Sequence, residues 1–317
     1  MPEAAPACNA GLLTSDFPIM NKRSLRLTLA LVFLAIAVSG VGAAESAATA
    51  KRLFLWRIKS EQSTAYLLGS IHVAKPQMYP LDSRIEKAFQ SADVLVVEAN
   101  ASPDKMPGMA LQMMMRASYP PEDSLGKHVS KEVCDATIAR VTKSGLPAAQ
   151  ARQLKPWFLG MTITLAELQR LNIDPAYGLD IHFLQSAKGK QIVELESTDA
   201  QLALLDGLSD KQQEDFLKYT LKDIDNVARH VDDMIASWTN GDAKELEEYL
   251  LQAIKESPDL QQLFVKLFDD RNKAMAAKIE ILLKTGKTYF IVVGAGHLVG
   301  KTGLLELLGK NHTVEQM

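Results

Sequence analysis

Four short apolar runs constrain this chain more than any other feature, because each one closes on a histidine or a carboxylate. They are residues 66–72, ending on His72; 94–98, ending on Glu98; 191–196, ending on Glu196; and 289–297, ending on His297. Each reads as a short, buried strand rich in β-branched residues, the kind found inside a parallel sheet. In open α/β sheets, ligands bind outside the carboxyl ends of the strands. If the four strands share one sheet, His72, Glu98, Glu196 and His297 converge at one edge. Two imidazoles and two carboxylates in one cleft make a metal or acid–base site.

The intervening sequence fits such a sheet. Residues 53–58 alternate as a strand, and the polar residues 60–64 turn it into the strand that ends at Ser70, a hairpin. A helix capped by Asp82 or Ser83 precedes the strand to Glu98, giving a strand–helix–strand unit. Residues 101–175 are mainly helical and include a Met-rich segment, 106–115, that reads as a mobile helix or lid. Lys155-Pro156-Trp157 opens a further helix running to about Leu171. Tyr177-Gly178-Leu179-Asp180 reads as a turn before a helix over 181–187. Residues 209–284 are nearly all helix, with breaks near Asn240-Gly241 and Ser257-Pro258. A helix reaching Leu308 and an edge strand at Thr313-Val314 close the chain. The fold class is therefore α/β (α+β): a mostly parallel sheet with large helical insertions at about 101–175 and 209–284.

The first fifty residues differ. Met20 begins a basic head, 27–38 is an apolar stretch, and small residues follow at 41–44. That order is a secretory signal peptide over 20–44, with a core shorter than the ~20 residues of a membrane span. The other reading is an amino-terminal membrane anchor. Residues 1–19 fit no part of a signal and read as an upstream extension. The expected location is periplasmic or secreted, with no stable membrane span once the signal is cut. Cys8 lies outside that mature chain, which leaves Cys134 alone and excludes both an internal disulfide and a Cys-based zinc site. A net charge of -3 gives no case for nucleic acid.

Two strands run into Gly-x-x-His: Gly69-Ser70-Ile71-His72 and Gly294-Ala295-Gly296-His297. A glycine there lets the backbone turn sharply and lets a ligand come close. Glu98 follows four apolar residues, and a carboxylate so placed must be paired, hydrogen-bonded or metal-bound. Glu196 has the same setting, and Glu194 alternates with it. Asp180 could orient a ligand or simply cap a helix; Arg271-Asn272 could bind a carboxylate or a peptide carbonyl. His182, on a helix near Asp180, reads as structural, and His128, His230 and His312 have no supporting context. The chain has no His-Glu-x-x-His helix, nucleophile elbow or P-loop.

With these motifs in this order, together with Lys155-Pro156-Trp157, Tyr177-Gly178-Leu179-Asp180 and Arg271-Asn272, the chain resembles the TraB/GumN family, grouped with PrgY and the Tiki proteases. The resemblance spans residues 51–317. It implies a fold similar to the erythromycin-esterase and ChaN group. In the Tiki branch, two Gly-x-x-His motifs and a glutamate are thought to form a divalent-metal protease site. Carried over, these are Gly69 with His72, Gly294 with His297, and Glu98. The expectation is a metal-dependent hydrolase of peptides or proteins. His72 and His297 would bind Mn, Co or Zn, Glu98 would be ligand or general base, and Glu196 a further ligand or support. Ser70, Gly69, Asp180, Arg271, Asn272, Gly294 and Gly296 are the supporting or substrate positions. A metal-free site running acid–base hydrolysis is the variant. A non-catalytic protein that binds haem, metal or peptide in the same cleft is the alternative.

Overall fold

The computed structural model describes residues 51–102, 104–256 and 261–317. The expected signal peptide, its upstream extension and the expected break at Ser257-Pro258 lie outside the described residues. Among the described residues no helix is long and apolar enough to cross a membrane.

The sheet has six strands: β1 (Leu55–Lys59), β2 (Thr64–Ser70), β3 (Val94–Val97), β4 (Gln191–Glu194), β5 (Thr288–Gly294) and β6 (Thr313–Gln316). Their spatial order is β4-β3-β5-β2-β1-β6. The neighbours β4–β3, β3–β5 and β5–β2 are parallel, while β1 pairs antiparallel with both β2 and β6. The four runs singled out above are thus the four adjacent parallel strands. Their apolar residues explain this position: β3 and β5 are buried almost along their whole length, as strands covered on both faces must be.

One feature of the order was not visible in the sequence. The strand–helix–strand unit β2–β3 does not pair with itself. The last parallel strand, β5, inserts between its halves, which brings the two glycine–histidine turns side by side. The register aligns Gly69 with Val293 and Ser70 with Gly294. The two motifs are therefore staggered by one residue.

The helix Ser83–Ser91 starts where expected: the Asp82 side chain accepts a hydrogen bond from the Arg84 N–H at 2.9 Å. It buries Ile85, Ala88 and Phe89, which fall on one face. Phe89 and Phe183 both meet Phe290 of β5, at ring-centroid distances of 5.4 and 4.7 Å. Each such buried side chain contributes about 1.5–3 kcal/mol. That cluster fixes the helix Leu179–Ser186, which carries Phe183, over the sheet.

The turn expected at 177–180 is shorter than the sequence suggested. A 3-10 turn at Pro175–Tyr177 leads directly into the helix, so Asp180 sits in its first turn. The Leu179 N–H donates to the Ile71 carbonyl at 3.2 Å. Gly178 permits this approach, since a Cβ there would stand 2.6 Å from the His72 carbonyl oxygen.

The second helical insertion covers the carboxyl edge of the sheet. It comprises the helices Asp210–Asp223, Val227–Thr239, Ala243–Glu256 and Asp270–Leu282, with the break near Gly241 as expected and a π-helical turn at Val265–Asp269. Trp238 anchors it by donating from its indole N–H to the Gly69 carbonyl at 2.6 Å. The Met-rich helix Met106–Ala117 buries only Ala117 and exposes Leu111, Met114 and Met115. Cys134 is a buried residue of a helix, in keeping with a small hydrophobe.

Candidate functional site

His72, Glu98 and His297 meet above Gly294. A Cβ built on Gly294 would lie 3.2 Å from Glu98 Oε1, 3.3 Å from His72 Nε2 and 3.5 Å from His297 Cδ2. The residues come from different parts of the chain: His72 follows β2, Glu98 follows β3, and His297 ends the 3-10 turn after β5. The parallel sheet brings them together because all three strands end at the same edge. They line one cleft of about 720 Å³, open solvent at its mouth included.

Each histidine is fixed by a different partner. His72 Nδ1 lies 2.5 Å from Asp180 Oδ2, the oxygen to which the Ser70 hydroxyl also donates. Asp180 does not cap its own helix; Gly178 stands at that position. Burial pulls the His72 pKa down, but the charge and hydrogen bond of Asp180 outweigh it, and the net shift is upward. His297 Nδ1 lies 2.6 Å from Asn272 Oδ1. An amide oxygen only accepts, so Nδ1 carries the proton and Nε2 the lone pair. Burial brings the His297 pKa down to about 4, against the opposing charge of Glu98.

Glu98 is buried and ionised. Its Oε1 accepts the Gly294 N–H at 2.6 Å and lies 3.7 Å from His297 Nε2, and its Oε2 accepts from Arg271 at 2.8 Å. Burial raises its pKa, but the charges of His297 and Arg271, with His72 and the Gly294 amide, bring it down to about 2. His297 is neutral above about pH 4. Arg271, charged throughout, is then the largest of the remaining contributions, ahead of His72 and the Gly294 amide.

Glu196 also sits beside Glu98, because its N–H donates to the Glu98 carbonyl at 2.6 Å. It lies past the end of β4, and Arg271 occupies both its carboxylate oxygens, at 2.6 to 3.1 Å. Glu194, taken from the sequence to share its face, pairs instead with Lys105. Arg271 is thus a largely covered cation between two carboxylates, and Asn272, next to it on the same helix, supports His297. Gln201 completes the cluster by donating to Glu196 at 3.0 Å and to Glu98 at 3.4 Å. Sequence reading missed Gln201. Its only signal was helical spacing from the Ser197 cap.

The four-donor set of His72, His297, Glu98 and Glu196 does not fit a divalent ion as it is arranged. The Arg271 guanidinium holds the carboxylate half, and among the described residues no three His, Cys, Asp or Glu side chains are placed to hold a metal. Both imidazoles nevertheless have the supporting acceptor on Nδ1 that fixes a ring for work at Nε2.

Of the two motif glycines, only Gly294 faces this centre. A Cβ on Gly69 would instead meet the Phe54 ring at 2.4 Å, so that glycine serves packing. Neither strand end needs a left-handed backbone. Gly296 keeps room for Phe268, whose ring would lie 2.9 Å from an added Cβ. The other histidines lie elsewhere: His128 bridges Asp123 and Asp210, His182 approaches Glu86, and His312 meets Glu280. His230 lies 2.9 Å from the hydroxyl of Tyr249, which itself lines the cleft.

A mixed, mostly parallel α/β sheet, with two supported histidines and an ionised glutamate at its carboxyl edge, defines an α/β protein with a polar cleft at the strand ends. The chain belongs to the TraB/PrgY/gumN family, which matches residues 54–316. It is 29% identical to uncharacterized protein YbaP of Shigella flexneri over 77% of this chain and 87% of that one. The YbaP of Escherichia coli K12 is likewise 29% identical, over 77% and 87%. An uncharacterized protein of Treponema pallidum is 21% identical over 92% of this chain and 91% of its own. No solved structure matches.

Proposed function

We propose that the cleft hydrolyses a peptide or protein substrate in an exported compartment, by acid–base chemistry shared among His72, His297 and Glu98. The observation that carries this reading is the convergence of these three side chains on one point above Gly294. Likeness to the erythromycin-esterase and ChaN group belongs to the same reading.

His72 is the general base. Its Nε2 takes a proton from water while Asp180 stabilises the imidazolium. The water oxygen adds to the acyl carbon. The C–N bond then breaks with its electron pair going to nitrogen, and His72 returns the proton to that nitrogen. The products are a carboxylic acid, which ionises, and an amine, and water is the sole co-reactant. His297, neutral above about pH 4, offers Nε2 as an acceptor that orients the water. Glu98 supplies the fixed negative charge that favours positive charge on either ring. Two histidines pushed in opposite directions by their surroundings is the pattern expected of an acid–base pair.

The test is cleavage of an internally quenched peptide library by purified protein, before and after metal stripping. The expected result is cleavage that survives chelation and falls by about 10²–10⁴-fold in His72→Ala. Cleavage only after refilling with Mn, Co or Zn would replace the acid–base form with a metal-assisted one. No cleavage in either state ends the hydrolase reading.

A further inference from the structure

The cleft has two unlike halves. Its floor is polar and has no cation to spare: the single Arg271 guanidinium is shared by Glu98 and Glu196, and His72 rests on Asp180. A carboxylate entering there would meet two carboxylates and no unmatched cation. The roof is apolar. Leu205, Met234, Leu246, Leu250, Leu267 and Phe268 line it, the last five from the second helical insertion. The apolar wall starts directly beside the polar centre. The Phe268 ring lies 5.0 Å from the His297 ring, and a Cβ on Gly296 would be 2.9 Å from Phe268 Cε1 and 3.5 Å from Leu250 Cδ1. Leu267 and Phe268 sit on the π-helical turn, a distortion that recurs at functional sites.

We propose that the cleft selects an uncharged substrate segment bearing a bulky aliphatic or aromatic side chain, seated against Met234, Leu250, Leu267 and Phe268, and that the bond cleaved beside it is internal to the substrate. The cleavage part rests on the hydrolase reading; the seat does not. An apolar wall beside a few oriented polar groups is the usual build of a ligand pocket, and the apolar part sets which side chain is accepted. A floor with two carboxylates on one guanidinium disfavours a chain's terminal carboxylate, which needs an unmatched cation or amide donors to hold it.

Two measurements on the protein decide this. The first is binding of the N-acetyl amides of Phe, Leu, Asp and Lys, followed by saturation-transfer NMR. The Phe and Leu amides are expected to bind at least about tenfold more tightly than the Asp and Lys amides. Phe268→Ala should narrow that gap, and Phe268→Leu should keep it for the Leu amide. If Phe268→Ala does not fold by circular dichroism, the ranking on the unaltered protein still decides. The second is sequencing of cleavage sites in the peptide library, where internal cuts next to Leu, Met, Phe or Tyr are expected. Equal binding of the four amides, or preference for a charged one, overturns the seat. Apolar preference in binding without any cleavage keeps the seat and removes the hydrolase reading. Cleavage without apolar preference does the reverse.

Discussion

His72 follows β2 and His297 follows β5, two adjacent parallel strands that both run into Gly-x-x-His. In the folded protein they are tuned in opposite directions. His72 keeps 18% side-chain exposure and rests on a carboxylate, so its pKa rises. His297 keeps 5%, rests on a neutral amide, and its pKa falls to about 4. The difference lies in the partners, Asp180 and Asn272, which come from distant helices. Like motifs at like positions are thus given unlike chemistry by what packs over them.

The largest effect is expected from exchanging the partners. Asp180→Asn removes the charge behind His72 and should lower turnover by about 10²–10⁴-fold. Asn272→Asp should lift the His297 pKa well above 4, read by NMR titration of the ring protons. If the two substitutions leave both titrations unchanged, the contrast between the histidines is wrong.

Arg271→Ala leaves the buried Glu98 beside the half-buried Glu196 without a cation. Removing the partner of a buried charge costs up to about 3–5 kcal/mol, measurable by urea denaturation near neutral pH. Both histidine pKa values should rise together, because Arg271 lowers each of them.

The pH dependence of stability separates the rings by sign. His297 is neutral when folded down to about pH 4 but protonates near 6.5 when unfolded, so it costs stability as pH falls from 6.5 to about 4. The cost is roughly 3 kcal/mol, and His297→Gln should remove that acid slope. His72 has the raised pKa, so its contribution is fully present below about pH 6.5 and is lost as pH rises through its folded value. His72→Gln should remove a slope of the opposite sign. Two slopes of the same sign would end the comparison.

The smallest effects concern the glycines. Gly69→Ala drives a Cβ into Phe54 and should cost about 1–3 kcal/mol of stability. Gly294→Ala meets only the tips of Glu98, His72 and His297, at 3.2 to 3.5 Å. It should spare more of the fold and impair turnover, seen as a lower kcat at a nearly unchanged Tm. The reverse ranking would show that Gly69, not Gly294, faces the working centre.

Much of the sheet could be read from the chain because its period-two and all-apolar runs need no distant information. β2, β3, β4 and β5 were each visible, as was the edge strand at Thr313. Asp180 was harder. Its turn-like surroundings pointed to a cap, and only the approach of Gly178 to His72 shows that its carboxylate turns to the imidazole. Arg271 read as a binder of a carboxylate or a peptide carbonyl, and helical spacing could not say which groups it would meet. Gln201 and the apolar roof left no chemical signal at all, since glutamine, leucine and phenylalanine on helices look alike wherever they face.

The sequence by itself determined which strands would be buried and which residues would stand at their ends, because apolar length and the period of the side chains are local properties. Only the tertiary structure decided that β5 lies between β2 and β3, that the two glycine turns are offset by one residue, and that a guanidinium holds the acidic pair. Strand order, register and the pairing of buried charges depend on contacts between residues far apart in the chain, where no local pattern records which neighbour a side chain will meet.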